Sequence, residues 1–389
     1  MKLENTIINK IKKVLGKRNK YSLHEPSFFG NEKKYLLEAL KKNYVSSIGG
    51  GEFICEFENK IKNFTKAKYC ISVINGTEAL HLSLIALGVK NNDEVLLPSL
   101  TFSGTANAVM YCNAIPHFVD SELETLGIDP AKLENYLKKI SIIKNNECYN
   151  KKTNRRIRAI IPVHVFGNIC KIDEIVKIAN KYKLKLLEDS AESLGSFFHN
   201  KHAGIFGDIG CISFNGNKII TTGGGGAIIT NDKSIAHNIR HLSSTAKIKH
   251  QWEYIHDKVG YNFRMPNLNA ALGVAQLENL HKFLKSKRRL FYRYYNEFKK
   301  VKGIKFISEQ KYSKSNYWLN TIFINNSSIK KRNKILKLGH KNNIFLRPAW
   351  KPLHTLKHFK KMPKMNLAQA IKIYKSCINL PSSAIYFFK

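Results

Sequence analysis

The 389-residue sequence predicts an α/β protein, in which a large domain with a mainly parallel sheet between helices precedes a smaller C-terminal α/β domain. Three observations favour this fold class. Short β-branched segments alternate with longer helical patterns over residues 69–232. A long helical pattern follows, from residue 268 to about residue 298. A mixed segment with further candidate strands begins near residue 302.

The alternating region predicts a seven-stranded sheet. Each candidate strand is a short apolar segment that ends at polar or glycine-containing residues. The last two candidates flank a glycine-rich stretch, and their short separation predicts one antiparallel pairing. The candidates are residues 69–74, 94–98, 115–119, 159–164, 184–188, 211–214 and 227–230.

The rest of the chain completes the predicted organisation. Apolar residues such as Ala270, Leu277 and Phe283 recur at helical spacing and lead out of the large domain. Beyond them we expect strands at 318–324 and 344–347. The polar insert 143–158 lacks apolar periodicity and is expected to be an exposed loop or hairpin. We therefore predict an N-terminal helical arm at 1–30, a large domain at 31–265, a long connecting helix at 266–300 and a small domain at 301–389.

Composition narrows the class of protein. A net charge of +37 and a pI near 9.9 can mark a binder of nucleic acid or of a membrane surface. Lysines are spread along the chain, however, and the basic segments lie apart, so we expect neither partner and only a general attraction for anionic ligands. The seven cysteines stand singly, as is typical of reduced thiols, and we find no signal-peptide or membrane-span pattern. We predict a soluble, cytoplasmic protein.

Polar residues follow several predicted strands, and the carboxyl ends of parallel strands are where ligand-binding loops converge. Asn75, Gly76 and Thr77 precede a helical pattern. The glycine, the hydroxyl and the free N–H groups of a helix start suit a phosphate, although an ordinary helix cap is the alternative. Asp189 directly follows another predicted strand, where its carboxylate could bind a metal, cap a helix or pair with a protonated ring nitrogen.

Lys218 lies in a predicted turn just after one strand and just before the glycines 223–226. A phosphate-binding loop places its glycines before the lysine and a Ser or Thr directly after it, whereas Ile219 follows here. A Schiff-base nucleophile fits the observed order. With Asp189 and the phosphate-binding residues, Lys218 completes the set that pyridoxal phosphate needs: a lysine, a partner for the pyridine nitrogen and a phosphate cradle.

Several segments together resemble the DegT/DnrJ/EryC1/StrS family of nucleotide-sugar aminotransferases, from about His24 to Ser383. The likeness rests on residues 75–77, 98–102, 162–167, 187–195, 204–208, 213–218, 223–226 and 260–265. Within the family the chain looks closest to the LegC-like branch of legionaminic-acid-type pathways. That assignment rests on residues 24–26, 44–47, 214–218 and 347–350. The resemblance implies a fold-type-I transferase that uses pyridoxal phosphate.

The resemblance also implies roles for single residues. Lys218 would form the Schiff base and move the proton, and Asp189 would keep the pyridine nitrogen protonated. Glu192 stands where the family often has Gln, near the cofactor's phenolic oxygen. Since a charged carboxylate would repel that oxygen, we expect Glu192 to be protonated or turned away. Phe102 would stack on the cofactor ring, with plain core packing as the alternative.

Further cofactor contacts follow from the same resemblance. Gly76, Thr77 and Ser213 would hold the phosphate, with Asn215 close by. Asn262 would reach the phosphate bound to a neighbouring subunit, which implies a homodimer with shared active sites. A loop asparagine that caps its own turn is the alternative.

The implied reaction moves an amino group from L-glutamate to a nucleotide-diphosphate sugar, at C4 of a 4-keto-6-deoxy hexose. His164, Arg347, Trp350 and His354 are candidate substrate contacts by position, and a satisfied core histidine is the alternative for His164. No metal is expected. Other possibilities are an aminotransferase for a 3-keto sugar, a sugar 3-dehydratase, and a non-catalytic regulatory or binding protein with this fold. Lys218 argues against the dehydratase, in which His replaces the lysine.

Overall fold

A seven-stranded sheet forms the centre of the computed structural model, which describes residues 2–47 and 51–387. Its strands are β1 (Tyr69–Val73), β2 (Glu94–Pro98), β3 (Ile115–Val119), β6 (Ile157–Ile160), β7 (Lys185–Asp189), β10 (Ile209–Ser213) and β11 (Gly226–Thr230). Their order across the sheet is β1-β11-β10-β7-β6-β2-β3. Strand β11 is antiparallel to both neighbours, and the remaining pairs are parallel. The predicted sheet and its antiparallel pairing are confirmed.

Helices cover both faces of this sheet, as a mainly parallel sheet requires. The helices are α1 (Leu3–Leu15), α2 (Glu32–Lys41), α3 (Glu52–Thr65), α4 (Gly76–Ala86), α5 (Ser103–Tyr111), α6 (Pro130–Ile140), α7 (Ile172–Lys181), α8 (Lys233–Ser243), α9 (Asn267–Glu278), α10 (Leu280–Phe298), α11 (Ile329–Lys341) and α12 (Ala368–Ser376). Helices α4, α5 and α8 bury residues such as Leu82 against one face. Helices α3 and α9, and farther along α6 and α7, bury residues such as Phe57 and Ile175 against the other.

A second, antiparallel sheet lies in the C-terminal part of the chain. Its strands are β14 (Ile304–Phe306), β16 (Asn320–Ile324), β17 (Arg347–Pro348) and β18 (Cys377–Leu380), in the order β14-β16-β18-β17. Helices α1 and α10 share its core, in which Ile7 and Ile11 pack with Leu290 and Tyr294. The N-terminal helix is therefore packed onto the C-terminal part. The domain boundaries given above stay a prediction.

Three expected elements differ from the structure. The helix expected at 266–300 is interrupted, because Asn279 leaves the helical conformation (φ −99°, ψ 0°) between α9 and α10. The strand expected to reach His164 ends at Ile160, since Pro162 has no N–H for the ladder. The strand expected at 344–347 is reduced to β17, with a single bridge between Ile344 and Tyr21 before it.

The remaining strands are short and form two pairs and one three-stranded sheet. They are β4 (Ser141–Lys144), β5 (Glu147–Asn150), β8 (Phe197–Phe198), β9 (Lys201–His202), β12 (Lys247–Ile248), β13 (Ile255–His256) and β15 (Ser313–Lys314). The β4–β5 pair is the hairpin expected in the polar insert. Across residues 2–47 and 51–387, every helix is too short or too polar to cross a membrane.

Candidate active site

Lys218 lies in a turn beyond the carboxyl end of β10. Its N–H donates to the Asn215 carbonyl at 2.9 Å, which closes the turn. The side chain is largely buried, and Nζ lies 3.5 Å from Oε1 of Glu192. On another side Nζ lies 4.2 Å from the ring centroid of Trp318. An amine in such a partly dry site, beside a carboxyl group, is suited to nucleophilic and proton-transfer chemistry.

Asp189 ends the neighbouring strand β7, which runs parallel to β10. Its carboxylate is buried, and it accepts hydrogen bonds from Thr105 Oγ1 at 2.8 Å and from the Ala191 N–H at 3.2 Å. Burial raises the pKa of Asp189 above its ordinary value, while the Thr105 hydroxyl opposes that rise. A buried, fixed carboxylate at this edge can hold a positively charged ring nitrogen.

Glu192 faces Lys218 and is not turned away from the site. Its Oε2 accepts the Phe166 N–H at 2.8 Å, and only 7% of the residue is exposed. Burial raises the pKa of Glu192 to about 7, against the attraction of Lys218. The carboxyl group therefore takes up a proton near neutral pH, which is compatible with the protonated form expected beside an anionic oxygen.

A phosphate cradle is formed where α4 begins. Asn75 caps this helix by accepting the Glu78 N–H at 2.9 Å. A Cβ atom on Gly76 would lie 2.9 Å from Cβ of Ser213, so only glycine allows this approach of α4 to the end of β10. In the same way, a Cβ on Gly104 would lie 2.8 Å from Oγ1 of Thr77. The helix start thus presents free N–H groups and two hydroxyls to one place, which suits a phosphate.

Phe102, Asn215 and Asn262 are exposed in the single chain. Phe102 precedes α5 and is 60% exposed, so the alternative of plain core packing is wrong for this residue. A free aromatic face at this position can stack on a cofactor ring. Asn215 lies in the Lys218 turn. Asn262 lies in an extended segment that forms a bridge to Ser244 and runs beside β1.

The candidate substrate residues are placed differently from one another. His164 is completely buried: its Nδ1 accepts the Cys170 N–H, so Nε2 carries the proton and donates to Glu188 at 3.0 Å. The structure therefore corrects the expected substrate contact in favour of the core alternative. His354 Nδ1 lies 2.6 Å from Oγ of Ser99, which follows β2, and burial lowers the pKa of His354.

The other two candidates belong to the segment around β17. Arg347 is exposed in β17. The Trp350 ring packs 4.7 Å from the Phe166 ring, and the Phe166 N–H is the donor to Glu192. Trp350 is thereby connected to the Lys218 site.

Sequence reasoning missed three residues of this site. Thr105 supports Asp189, Phe166 supports Glu192, and Trp318 contacts Lys218. Thr105 could have been suspected, since it follows Phe102 within the same loop and helix start. Nothing in the local sequence signals Trp318, because its contact with Lys218 joins two distant parts of the chain.

These residues fit pyridoxal phosphate as a group. Lys218 and Asp189 lie at the carboxyl ends of adjacent strands, and the cradle at Gly76 lies at a helix start. The exposed Phe102 ring lies beside the cradle, since a Cβ on Gly104 would contact both this ring and Oγ1 of Thr77. Gly76 lies so close to Ser213 that any larger residue at position 76 would fill the space between them. When bound, pyridoxal phosphate supplies a conjugated, protonated ring that withdraws electrons from a carbon bearing an amino group.

Comparisons with known proteins show the family of the chain. Residues 28–385 match the DegT/DnrJ/EryC1/StrS aminotransferase family. The GDP-perosamine synthase of Caulobacter vibrioides is 34% identical over 371 residues, which cover 93% of each chain. The UDP-4-amino-4,6-dideoxy-N-acetyl-beta-L-altrosamine transaminase of Campylobacter jejuni is 30% identical over 348 residues, 89% of this chain and 88% of that one.

A solved structure shares the fold as well. A DegT DnrJ EryC1 StrS aminotransferase from Brucella abortus superposes with a TM-score of 0.82 and 25% identity, over 91% of this chain and 90% of that one. The predicted fold class, enzyme class and cofactor are confirmed. The chain belongs to the DegT/DnrJ/EryC1/StrS aminotransferase family and is an aminotransferase that uses pyridoxal phosphate.

Proposed function

We propose that this enzyme transfers an amino group from L-glutamate to C4 of a nucleotide-linked 4-keto-6-deoxy sugar. One observation carries the proposal: the Lys218 amine and the buried Asp189 carboxylate stand at the carboxyl ends of adjacent strands, β10 and β7. The sugar class is supported by relatives whose names specify a GDP-linked amino sugar and a UDP-linked 4-amino-4,6-dideoxy sugar.

In this proposal different residues of the chain have different roles. Lys218 takes the proton from the carbon of glutamate that bears the amino group, and returns it farther along the reaction. Asp189 would hold the ring nitrogen of the cofactor in its protonated form, and hydrogen bonds from Thr105 and Ala191 fix its carboxylate. Gly76, Thr77 and Ser213 bind the phosphate. Glutamate leaves as 2-oxoglutarate, with an oxygen from water in place of its amino group, which would be held by the cofactor. The same residues then act in reverse order on the keto sugar, whose carbonyl oxygen leaves as water.

The pathway, the substrate contacts, the active unit and the location are part of the same proposal. Residues 24–26, 214–218 and 347–350 support a LegC-like enzyme of legionaminic-acid-type glycan synthesis. Arg347, Trp350 and His354 are the proposed substrate contacts. The active unit is a homodimer in which Asn262 reaches the partner's phosphate site. The seven cysteines stand singly in the sequence, without the paired framework of secreted disulfide-rich domains, and this supports a cytoplasmic location.

The test is amino transfer in vitro. Purified enzyme with pyridoxal phosphate and L-glutamate is given UDP-, GDP- and dTDP-linked 4-keto-6-deoxy sugars and a 3-keto nucleotide sugar, and the product is identified by mass and NMR. We expect a 4-amino sugar from at least one 4-keto substrate. Lys218→Ala should reduce the rate by roughly 10²–10⁴-fold, whereas Lys361→Ala, at an exposed lysine, should not. Absence of transfer by the wild type to every 4-keto sugar would contradict the proposal.

A further inference from the structure

Trp318 links the C-terminal sheet to the turn that carries Lys218. It lies just before β16 and is 5% exposed. Its indole Nε1–H donates to the Asn217 carbonyl at 2.6 Å, while the ring centroid lies 4.2 Å from Nζ of Lys218. One side chain thus binds the backbone of the turn and also bounds the space in which the amine moves. An aromatic face attracts an ammonium group, more so when water is excluded.

Trp318 is itself fixed by its backbone. Its carbonyl accepts from Nζ of Lys287 at 2.9 Å, and its N–H donates to Oδ1 of Asn316 at 2.8 Å. Lys287 is completely buried on α10 and also donates to the Ser382 carbonyl. The side-chain amide of Asn316 donates to the Glu192 carbonyl at 2.8 Å. The indole is therefore fixed through its backbone. In the same segment Asn316 also supports Glu192, the other group that faces Lys218.

We propose that Trp318 is a positioning residue for the Lys218 amine, which it holds through the Asn217 carbonyl and through its ring face. The inference rests on the proposed role of Lys218 in amino transfer. Because both contacts come from one rigid side chain, losing the ring frees the turn and the amine together. An amine displaced by as little as 1 Å from its reacting atom can lose about 10²-fold in rate.

Two substitutions separate the two contacts. Trp318→Phe keeps a ring face and removes the N–H donor, while Trp318→Leu removes both. Tyr317→Phe is the matched control: Tyr317 is the neighbouring buried residue, stacks on Phe291 with 3.8 Å between ring centroids, and likewise loses one polar group. Thermal unfolding shows whether each variant is folded. If Trp318→Leu does not fold, the milder variant Trp318→Phe still tests the proposal.

The main readout does not require turnover. Cofactor-free protein is treated with pyridoxal phosphate and then borohydride, and labelling of Lys218 is followed by peptide mass spectrometry against exposed lysines of the same chain. We expect Lys218 to be labelled fastest in the wild type, more slowly in Trp318→Phe and most slowly in Trp318→Leu. Tyr317→Phe should be labelled at the wild-type rate. In the loaded enzyme, kcat should fall by about tenfold to a hundredfold in Trp318→Leu, with a smaller change in KM, and the pH profile of the cofactor absorbance should shift.

The outcomes are distinguishable. If both Trp318 variants label Lys218 at the wild-type rate and retain its pH profile while the wild type transfers the amine, the positioning role is wrong and the proposed function stands. If Tyr317→Phe slows labelling as much as the Trp318 variants do, the effect is one of general packing, and the proposal also fails. If Lys218 of the wild type is not labelled at all, both proposals are wrong.

Discussion

The charge state of Glu192 depends on its burial beside Lys218. In the unfolded chain this carboxyl group has its ordinary pKa of 4.5, and in the folded protein burial raises that pKa to about 7. Between these values the folded protein binds more protons than the unfolded chain. Its free energy of unfolding must therefore fall as the pH rises from 4.5 to 7, by on the order of 3 kcal/mol from this group.

Glu192→Gln should remove this pH dependence. In the cofactor-free protein we expect the variant to match the wild type near pH 4.5 and to be more stable at pH 8, as measured by urea unfolding. Glu188→Gln is the control. The buried carboxylate of Glu188 accepts hydrogen bonds from the N–H groups of Gly204, Phe206 and Gly207. An amide NH₂ in its place could not accept these hydrogen bonds. Greater stability of the wild type than of Glu192→Gln at pH 8 would refute the prediction.

Lys218 and Asp189 could be proposed from the sequence because residues close to each of them along the chain indicate its chemistry. Lys218 beside a glycine run, and Asp189 at a strand end, are each ambiguous, but few cofactors need both. His164 shows where the same reasoning fails. Its place at the end of a predicted strand is also that of a satisfied core histidine. The hydrogen bonds that decide between the two are made with Glu188 and Cys170.

The central strands were predictable because their apolar segments are short and are separated by polar turns. The errors lie where a single backbone group decides the element. Asn279 interrupts the long helix within an otherwise continuous helical pattern, and Pro162 ends the ladder of β6. Strand β17 has two residues and forms only through pairing with β18, which lies about 30 residues farther along the chain.

Helix α10 offers a test of how the C-terminal sheet is held. Lys287 is buried in it, and its amine donates to the carbonyls of Trp318 and Ser382. Lys287→Met keeps an unbranched side chain, one atom shorter, but leaves two buried carbonyls unpaired, each of which costs about 1–3 kcal/mol. We expect a clear loss in the free energy of unfolding, measured with urea. Lys285→Met, at an exposed position of the same helix, should change it little, and equal losses would contradict the role given to Lys287.

In the whole molecule, exposed apolar side chains gather near the segment of Asn262. The loop between β12 and β13 and its continuation carry Trp252, Tyr254 and Val259, which are 72%, 79% and 85% exposed. Phe102, at the candidate site, is exposed too. Large exposed apolar side chains in one region mark an interaction surface. In the proposed homodimer, a second copy of the chain would bury them, and Asn262 would reach the partner's phosphate site.

Mixed dimers test whether the site is shared. Lys218→Ala removes the amine, and Asn262→Ala removes the proposed phosphate contact. Each homodimer should therefore have little activity. If Asn262 acts across the interface, a mixed dimer contains one site with an intact Lys218 from one chain and an intact Asn262 from the other. Co-refolding equal amounts of the two variants should then restore about a quarter of the wild-type kcat, because half of the dimers are mixed and each has one complete site. If Asn262 instead serves its own chain, mixing restores nothing beyond the mean of the two homodimers, and the shared site is refuted.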